Sequence, residues 1–168
     1  LPILQGGGSD LIFPHHFMSK IIAEDIAERE FAAEYVHTGM IGLDGEKMSK
    51  SRGNLVFVHK LLEENVDPMV IRYALMKDKY ATDRMWSNAL LENATAEVAE
   101  VRMALAKMEV ADTHGAIERM IQALSDDLNT PMAVEILLKW SRESIVGARG
   151  GNAGVMARFL DSALGLAL

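Results

Sequence analysis

Two lysines and two serines are grouped in the segment Lys47–Ser51, whose sequence is Lys-Met-Ser-Lys-Ser. The segment follows Asp44-Gly45, which predicts a turn, and precedes Arg52-Gly53-Asn54. Ammonium groups on a glycine-flanked loop can close over a triphosphate and neutralise the charge that builds up as pyrophosphate leaves. The same residue types also form ordinary solvated loops. The segment is therefore a candidate phosphate-binding flap.

A second candidate is the glycine-rich segment Gly6–Asp10, which follows a short apolar run at 2–5. Glycines let the main chain approach a ligand closely, and a carboxylate directly after them can accept hydrogen bonds from a ribose diol. A glycine-rich turn followed by Asp also occurs in proteins that bind no nucleotide. On its own, this segment makes Asp10 a candidate ribose ligand and no more.

The elements that would position these two segments have a strand, helix, strand order. The run at 2–5 predicts a buried strand that feeds a tight loop at the glycines, and Phe31–Leu43 predicts one or two strands. Between them Pro14 suits the first turn of a helix. The apolar residues at helical spacing in that helix are Phe17, Met18, Ile21, Ile22 and Ile26. This order is typical of a doubly wound α/β domain.

From Asp67 onward every segment is predicted to be helical. Asp67-Pro68 and Thr130-Pro131 each combine a helix cap with a first-turn proline. A last helix is expected near Val155–Leu164, ending at Gly165. The middle segment has apolar residues at spacings of three and four, which suits a bundle. They are Leu91, Ala94, Val98, Val101, Leu105 and Met108.

These patterns predict an α/β fold followed by an all-α one. We divide the chain into residues 1–60, an α/β part that includes the flap, residues 61–88, a helical connection, and residues 89–168, a helical bundle. Histidines 16, 37, 59 and 114 lack partners at ligand spacing and are expected to be solvated or locally bonded. Trp86 and Trp140 are expected to be packing residues.

Composition sets broader limits on the protein class. With 49% hydrophobic and 24% charged residues, the 168-residue chain is not disordered, collagen-like or membrane-spanning. A net charge of -7 argues weakly against a nucleic-acid partner. Without cysteine, the chain forms no disulfide and supplies no thiolate to a metal. Its first residues do not form a signal peptide, so we expect a cytoplasmic protein and, since no methionine starts it, a piece of a longer one.

The motifs together resemble one superfamily. Lys-Met-Ser-Lys-Ser is the signature loop of class I aminoacyl-tRNA synthetases, and three more segments resemble the cysteine-activating branch: Gly6–His16, Tyr35–Ile41 and Asp126–Pro131. Two families share this pattern, cysteinyl-tRNA synthetase and the mycothiol-pathway ligase that couples cysteine to glucosaminyl-inositol. The resemblance implies the carboxyl-terminal end of a Rossmann-type catalytic domain followed by an α-helical bundle.

Position 19 distinguishes these two families. In the synthetase, the histidine at position 15 and a glutamate four residues later both bind zinc, but Ser19 stands here and is a poor zinc ligand. A zinc ion held by His15 and two cysteines from outside this chain resembles the ligase. The short helical end and Asp83–Ser87 resemble it as well. Phe17 departs from both families, whose members usually carry an acidic residue there.

The resemblance also implies roles for individual residues. The ATP- and adenylate-binding set would be Gly8, Ser9, Asp10, Met40, Ile41, Lys47, Met48, Ser49, Lys50 and Ser51. Lys47 and Lys50 would be catalytic through charge stabilisation of the phosphates, Asp10 would hold the ribose, and main-chain groups at 40 and 41 would meet adenine. Zinc at His15 would select cysteine and Mg²⁺ would assist.

The implied reaction makes cysteinyl-adenylate from ATP and L-cysteine, and then transfers cysteine to the amine of glucosaminyl-inositol. One alternative is a cysteinyl-tRNA synthetase, with tRNA as the acceptor. The other is a non-catalytic binding module on the same scaffold, because the amino-terminal signature of the active site is not in this chain. We expect the 168 residues alone to be inactive and to bind zinc weakly.

Overall fold

The computed structural model describes residues 4–168, which form two compact units. The first unit combines the described residues up to Leu55 with Tyr80–Trp86. The second combines Val56–Lys79 with Ser87–Leu168. Strands lie in the first unit and the second is helical, which confirms the predicted fold class. The predicted boundaries at residues 60 and 88 stay predictions.

Two parallel strands begin the first unit. β1 (Leu4–Gly8) pairs in parallel with β2 (Glu34–Thr38), so that Gly7 lies opposite His37 and Gly8 opposite Thr38. The prediction of a buried strand that ends at the glycines is wrong in two respects. β1 includes all three glycines, because a glycine main chain pairs in a sheet like any other, and Leu4 is 55% exposed. Pro2 and Ile3 lie outside the described residues.

The predicted helix follows, as α1 (Phe17–Ala27). Pro14 lies in a distorted turn at Ile12–His16 that precedes α1, not in the first turn of the helix itself. The helix is therefore confirmed, and its start lies three residues later than the proline predicts. Its apolar side chains are 44–79% exposed.

A small mixed sheet completes the first unit. β3 (Ile41–Leu43) pairs antiparallel with β4 (Glu46–Lys47), and Asp44 and Gly45 form the predicted turn between them with φ of 53° and 82°. β5 (Arg84–Trp86) pairs with β3 in parallel. The prediction that every segment after Asp67 is helical is therefore wrong at β5, because long-range pairing with β3 makes this short segment extended.

The second unit is a bundle of helices. They are α2 (Val58–Glu63), α3 (Pro68–Leu75), α4 (Asn88–Leu105), α5 (Thr113–Ser125), α6 (Thr130–Ile145) and α7 (Ala153–Phe159). A turn at Leu160–Leu164 extends α7 and ends at Gly165, whose φ is 62°. The predicted last helix and its glycine stop are confirmed. No helix of residues 4–168 is long and apolar enough to cross a membrane.

Side-chain caps fix where these helices begin. The Asp67 carboxylate accepts a hydrogen bond from the Met69 N–H at 2.8 Å, as predicted for α3. The cap of α6 is Asn129 and not Thr130, because the Asn129 side chain accepts from the Met132 N–H. Thr130 is instead the first residue of that helix.

The bundle core confirms most of the predicted apolar seam. Ala94, Val98 and Val101 of α4 are buried, whereas Met108 is fully exposed because α4 has already ended at Leu105. Both tryptophans are buried as predicted, and the Trp140 indole N–H donates to the Ala111 carbonyl oxygen at 3.0 Å.

One buried polar cluster lies within the bundle. Tyr73 is fully buried, and burial together with the nearby Glu97 carboxylate raises the pKa of its phenol. Lys77 pairs with Glu97 through its ammonium group at 2.6 Å. The pairing satisfies a largely buried charge within the bundle, so we assign this cluster a structural role.

Candidate functional site

The glycine-rich segment leads directly into a tight turn. Gly8 caps a short 3-10 turn at Ser9–Leu11 with an extended main chain, and Asp10 lies in that turn. A Cβ atom on Gly8 would stand 2.6 Å from Asp10 Oδ1 and 3.4 Å from Met40 Sδ. Only glycine leaves room for the carboxylate to fold back over the main chain here. Three residues of the predicted nucleotide set, Gly8, Asp10 and Met40, are therefore neighbours.

The flap is built on the β3–β4 hairpin. Lys47 ends β4, and the segment after it is fixed by Asn54, whose Oδ1 accepts from the Ser49 N–H at 2.9 Å and whose Nδ2 donates to the Lys47 carbonyl at 3.3 Å. The hydroxyls of Ser49 and Ser51 are 3.2 Å apart. Lys50 is exposed at the start of a 3-10 turn. The flap thus holds its own shape through hydrogen bonds within residues 47–54.

One ion pair joins the flap to the glycine turn. The Lys47 ammonium group donates to Asp10 Oδ2 at 3.1 Å, and both side chains are about half exposed, at 56% and 44%. Two sites that were predicted from separate motifs, one for phosphates and one for ribose, therefore face a common space. With both groups open to water, the pair can exchange for a ligand at small cost.

The main chain of Met40 is already hydrogen-bonded. Its N–H donates to Asp83 Oδ1 at 2.6 Å, and its carbonyl accepts from the Arg84 N–H at 2.9 Å. Adenine could bond the Met40 N–H only by exchange with Asp83, whereas the Met40 carbonyl oxygen keeps a second lone pair that could accept a further hydrogen bond. The predicted adenine contact at Met40 and Ile41 stays a prediction. Asp83 was not among the predicted site residues.

His15 is exposed in the distorted turn that precedes α1, four residues before Ser19. Within residues 4–168, no group of three His, Cys, Asp or Glu side chains is placed to hold a metal ion. His15 can supply one zinc ligand, and the described residues do not complete a site.

His16 and His37 form a hydrogen-bonded pair that sequence reasoning described only as locally bonded histidines. His16 is 7% exposed, and its Nδ1 lies 2.9 Å from His37 Nε2, while its Nε2 lies 3.3 Å from Gln5 Nε2. A Cβ on Gly7 would stand 2.6 Å from the His16 ring. The parallel register sets Gly7 beside His37. The histidine pair therefore cannot be predicted until the pairing of β1 with β2 is known.

A cavity of about 290 Å³ adjoins this histidine pair. It is lined by Ile12, His16, Phe17, Lys20, Tyr35 and His37, and the surface that it exposes is almost entirely apolar. The Tyr35 hydroxyl is buried and makes no hydrogen bond within residues 4–168. The cavity belongs to the first unit, like the glycine turn and the flap.

Comparison with known proteins agrees with the motifs. The family described as tRNA synthetases class I (C) catalytic domain matches residues 3–96, more than half of the chain. The chain is 49% identical over 170 residues to an L-cysteine:1D-myo-inositol 2-amino-2-deoxy-alpha-D-glucopyranoside ligase of Rhodococcus erythropolis, covering 98% of this chain and 41% of that protein. The ligase of the same name from Mycolicibacterium smegmatis is 48% identical with the same two coverages.

A solved structure supports the fold alone. The LeuRS of a LeuRS-tRNA-LeuAMS ternary complex from Agrobacterium radiobacter superposes with a TM-score of 0.60 at 16% identity, covering 91% of this chain and 24% of that one. The chain spans about 41% of the length of the two ligases. The predicted resemblance to the cysteine-activating branch is confirmed, and the chain belongs to the family of class I (C) tRNA synthetase catalytic domains.

Proposed function

We propose that this chain is part of an ATP-dependent ligase that activates L-cysteine and transfers it to the amine of glucosaminyl-inositol. The observation that carries the proposal is the contact between Lys47 and Asp10, which brings a dibasic flap to a glycine turn with a carboxylate. The relatives of 48–49% identity are named as ligases of cysteine and an aminodeoxyglucosyl inositol, which supports the acceptor. We place the reaction in the cytoplasm.

In the proposed first step, a carboxylate oxygen of cysteine attacks the α-phosphorus of ATP. The bond from that phosphorus to its bridging oxygen breaks, and pyrophosphate leaves. Lys47 and Lys50 neutralise the charge on the departing phosphates, and the Asp10 carboxylate accepts hydrogen bonds from the ribose diol once Lys47 has moved from it to the phosphates. Ser9 and the serines of the flap hydrogen-bond the nucleotide, Met48 lies against it, and a bound Mg²⁺ would assist by neutralising phosphate charge.

In the proposed second step, the free amine of glucosaminyl-inositol attacks the carbonyl carbon of cysteinyl-adenylate. The bond from that carbon to the phosphate oxygen breaks, AMP leaves, and the nitrogen loses a proton to give the amide. A zinc ion with His15 as one ligand and the other ligands from outside this chain would select cysteine by binding its thiolate. Metal analysis of the full-length protein and its His15→Ala variant tests this part, and we expect the variant to lose zinc.

The experiment that tests the activation step is cysteine-dependent ATP–pyrophosphate exchange by the full-length protein. We expect Lys47→Ala and Lys50→Ala each to lower the exchange rate by about 100- to 1,000-fold, the size of effect that a transition-state charge contact produces. Lys60→Ala is the matched control, because Lys60 is an exposed lysine on α2 whose ammonium group pairs, among residues 4–168, with Glu63 alone. No exchange by the wild-type protein would favour a non-catalytic binding module.

A cysteinyl-tRNA synthetase is the second candidate, because the matched family is described as a tRNA synthetase catalytic domain. The two candidates share the activation step and differ in the acceptor. Incubation of the full-length protein with ATP, radiolabelled cysteine and either acceptor separates them. Amide formation on glucosaminyl-inositol supports the ligase, whereas charging of tRNA(Cys) without amide formation rejects it.

A further inference from the structure

The segment Tyr80–Arg84 holds the main chain of Gly39 and Met40 at three points. The Gly39 N–H donates to the Tyr80 carbonyl at 2.8 Å, the Met40 N–H donates to Asp83 Oδ1 at 2.6 Å, and the Met40 carbonyl accepts from the Arg84 N–H at 2.9 Å. Only one of these three bonds uses a side chain. That bond makes the identity of residue 83 matter, since the other two use main-chain groups that every residue except proline carries.

The fit between the two segments leaves no spare room. Gly39 is buried, and a Cβ atom on it would overlap the main chain of Thr82. The Arg84 guanidinium then braces the same segment from within, donating to the carbonyls of Tyr80 at 3.4 Å and Thr82 at 3.2 Å. Residues 80–84 therefore pack closely against Gly39 and Met40 and hold their main chain in place.

Met40 lies next to both parts of the candidate site, the glycine turn and the strand that leads to the flap. Its sulfur lies 3.4 Å from the position of a Cβ on Gly8, so Met40 forms one wall of the glycine turn that carries Asp10. β3 begins at the next residue and leads through the Asp44-Gly45 turn to Lys47. A shift of the Met40 main chain would move the wall of the turn and the base of the flap together.

We propose that Asp83 is a positioning residue for the nucleotide site, acting through the Met40 N–H. The carboxylate supplies the acceptor that fixes Met40 against Gly8, and thereby sets the distance between the glycine turn and the flap. The inference rests on the proposed function, because it assumes that ATP binds between these two segments. It adds a residue whose hydrogen bond goes to Met40 and not to the glycine turn or the flap.

The test uses the full-length protein with Asp83→Ala, Asp83→Asn and a control. Alanine removes the acceptor, whereas asparagine retains an oxygen at the Oδ1 position. We expect Asp83→Ala to raise the KM for ATP in cysteine-dependent exchange by roughly three- to tenfold, the range for loss of one partly solvated hydrogen bond. The KM for cysteine should change less than twofold, and Asp83→Asn should restore most of the ATP affinity.

The matched control is Asp78→Ala, which removes an exposed carboxylate in the same connection between α3 and β5. Within residues 4–168 that carboxylate makes no hydrogen bond or ion pair, since only the Asp78 carbonyl is used, by the Thr130 hydroxyl. We expect this variant to match the wild-type protein. An ATP-specific loss that also appears in Asp78→Ala would overturn the inference, because it would then reflect net charge.

A readout independent of activity checks the hydrogen bond itself. Amide hydrogen exchange at Met40, followed in the peptide that spans 36–43, should be faster in Asp83→Ala and close to wild type in Asp83→Asn. If Asp83→Ala changes neither the amide hydrogen exchange at Met40 nor the KM for ATP, the inference is rejected and the proposed function is left intact. A wild-type protein without pyrophosphate exchange would reject the proposed function, and with it the role of Asp83 in ATP binding.

Discussion

The three glycines of β1 are surrounded by different atoms, so single alanine substitutions there should have different effects. A Cβ on Gly7 would meet the His16 ring and one on Gly8 would meet the Asp10 carboxylate, each at 2.6 Å, whereas on Gly6 the nearest atom is the Val36 carbonyl oxygen at 3.9 Å. We expect Gly7→Ala to displace His16 and Gly8→Ala to displace Asp10. Both should lower the pyrophosphate exchange rate of the full-length protein by tenfold or more, measured at saturating cysteine.

Gly6→Ala is the internal control for this pair. Its Cβ would make only ordinary contacts within the described residues, and its φ is not in the left-handed region. We expect exchange within twofold of wild type and an unchanged melting temperature. Equal losses at all three positions would contradict the prediction, because they would reflect a general need for flexibility in the segment and not the close approach of His16 and Asp10.

At the residue scale, the sequence predicts a role for a side chain that belongs to a recognisable motif. It predicts none for a side chain whose partner is distant in sequence and close only in the folded structure. Lys47 and Asp10 could be placed in one site from motifs alone, and the structure brings them together. Asp83 carries no such signal, because its partner is a main-chain N–H 43 residues away. His16 and His37 likewise meet only through the parallel register of β1 and β2.

At the element scale, the start of α3 depends on one carboxylate. Asp67 accepts from the Met69 N–H and pairs with the Arg102 guanidinium at 2.7 Å. We expect Asp67→Ala to destabilise α3 by about 0.5–2 kcal/mol, the range for loss of a helix cap. Hydrogen exchange of the α3 amides from Met69 to Leu75 measures the change. Asp67→Asn keeps a cap acceptor, so it should lose less; an equal loss would assign the effect to the ion pair.

The same cap makes the stability of α3 depend on pH. Burial raises the pKa of Asp67, but the hydrogen bonds from Arg102 and the Met69 N–H outweigh it, so the pKa lies below its ordinary value of 3.8. A carboxyl whose pKa is lowered by folding stabilises the folded state fully above its unfolded pKa, and this contribution is lost as the pH falls through its folded pKa. The protection difference between wild type and Asp67→Asn should therefore be constant near neutral pH and shrink below 3.8.

Element boundaries could be predicted where the signal was local. Asp67-Pro68 and the Gly165 stop gave correct ends because a cap or a left-handed residue acts within one turn. β5 was missed because three residues have no helical or strand period of their own, and their conformation is set by pairing with β3. α1 was found, but the exposure of its apolar face does not follow from any local pattern.

At the scale of the whole molecule, the apolar face of α1 predicts that substitutions on it will change the stability of the full-length protein and of the isolated chain to different extents. Ile22 and Ile26 are 54% and 79% exposed here, and the chain spans about 41% of the length of its ligase relatives. We expect residues outside these 168 to cover the face. The double substitution Ile22→Ser with Ile26→Ser should then destabilise the full-length protein by about 1.5–3 kcal/mol per side chain, the value of burying an isoleucine.

The isolated chain should not respond in the same way, because both side chains are already in contact with water. We expect its melting temperature to be unchanged by the double substitution, and its cysteine-dependent ATP turnover to be undetectable with or without it. Met108→Ser is the control in both proteins, since this fully exposed methionine follows the end of α4. If the full-length protein tolerates the double substitution as well as it tolerates Met108→Ser, the apolar face of α1 is exposed to water there too. Measurable turnover by the 168 residues alone would show that they need no other segment for the reaction.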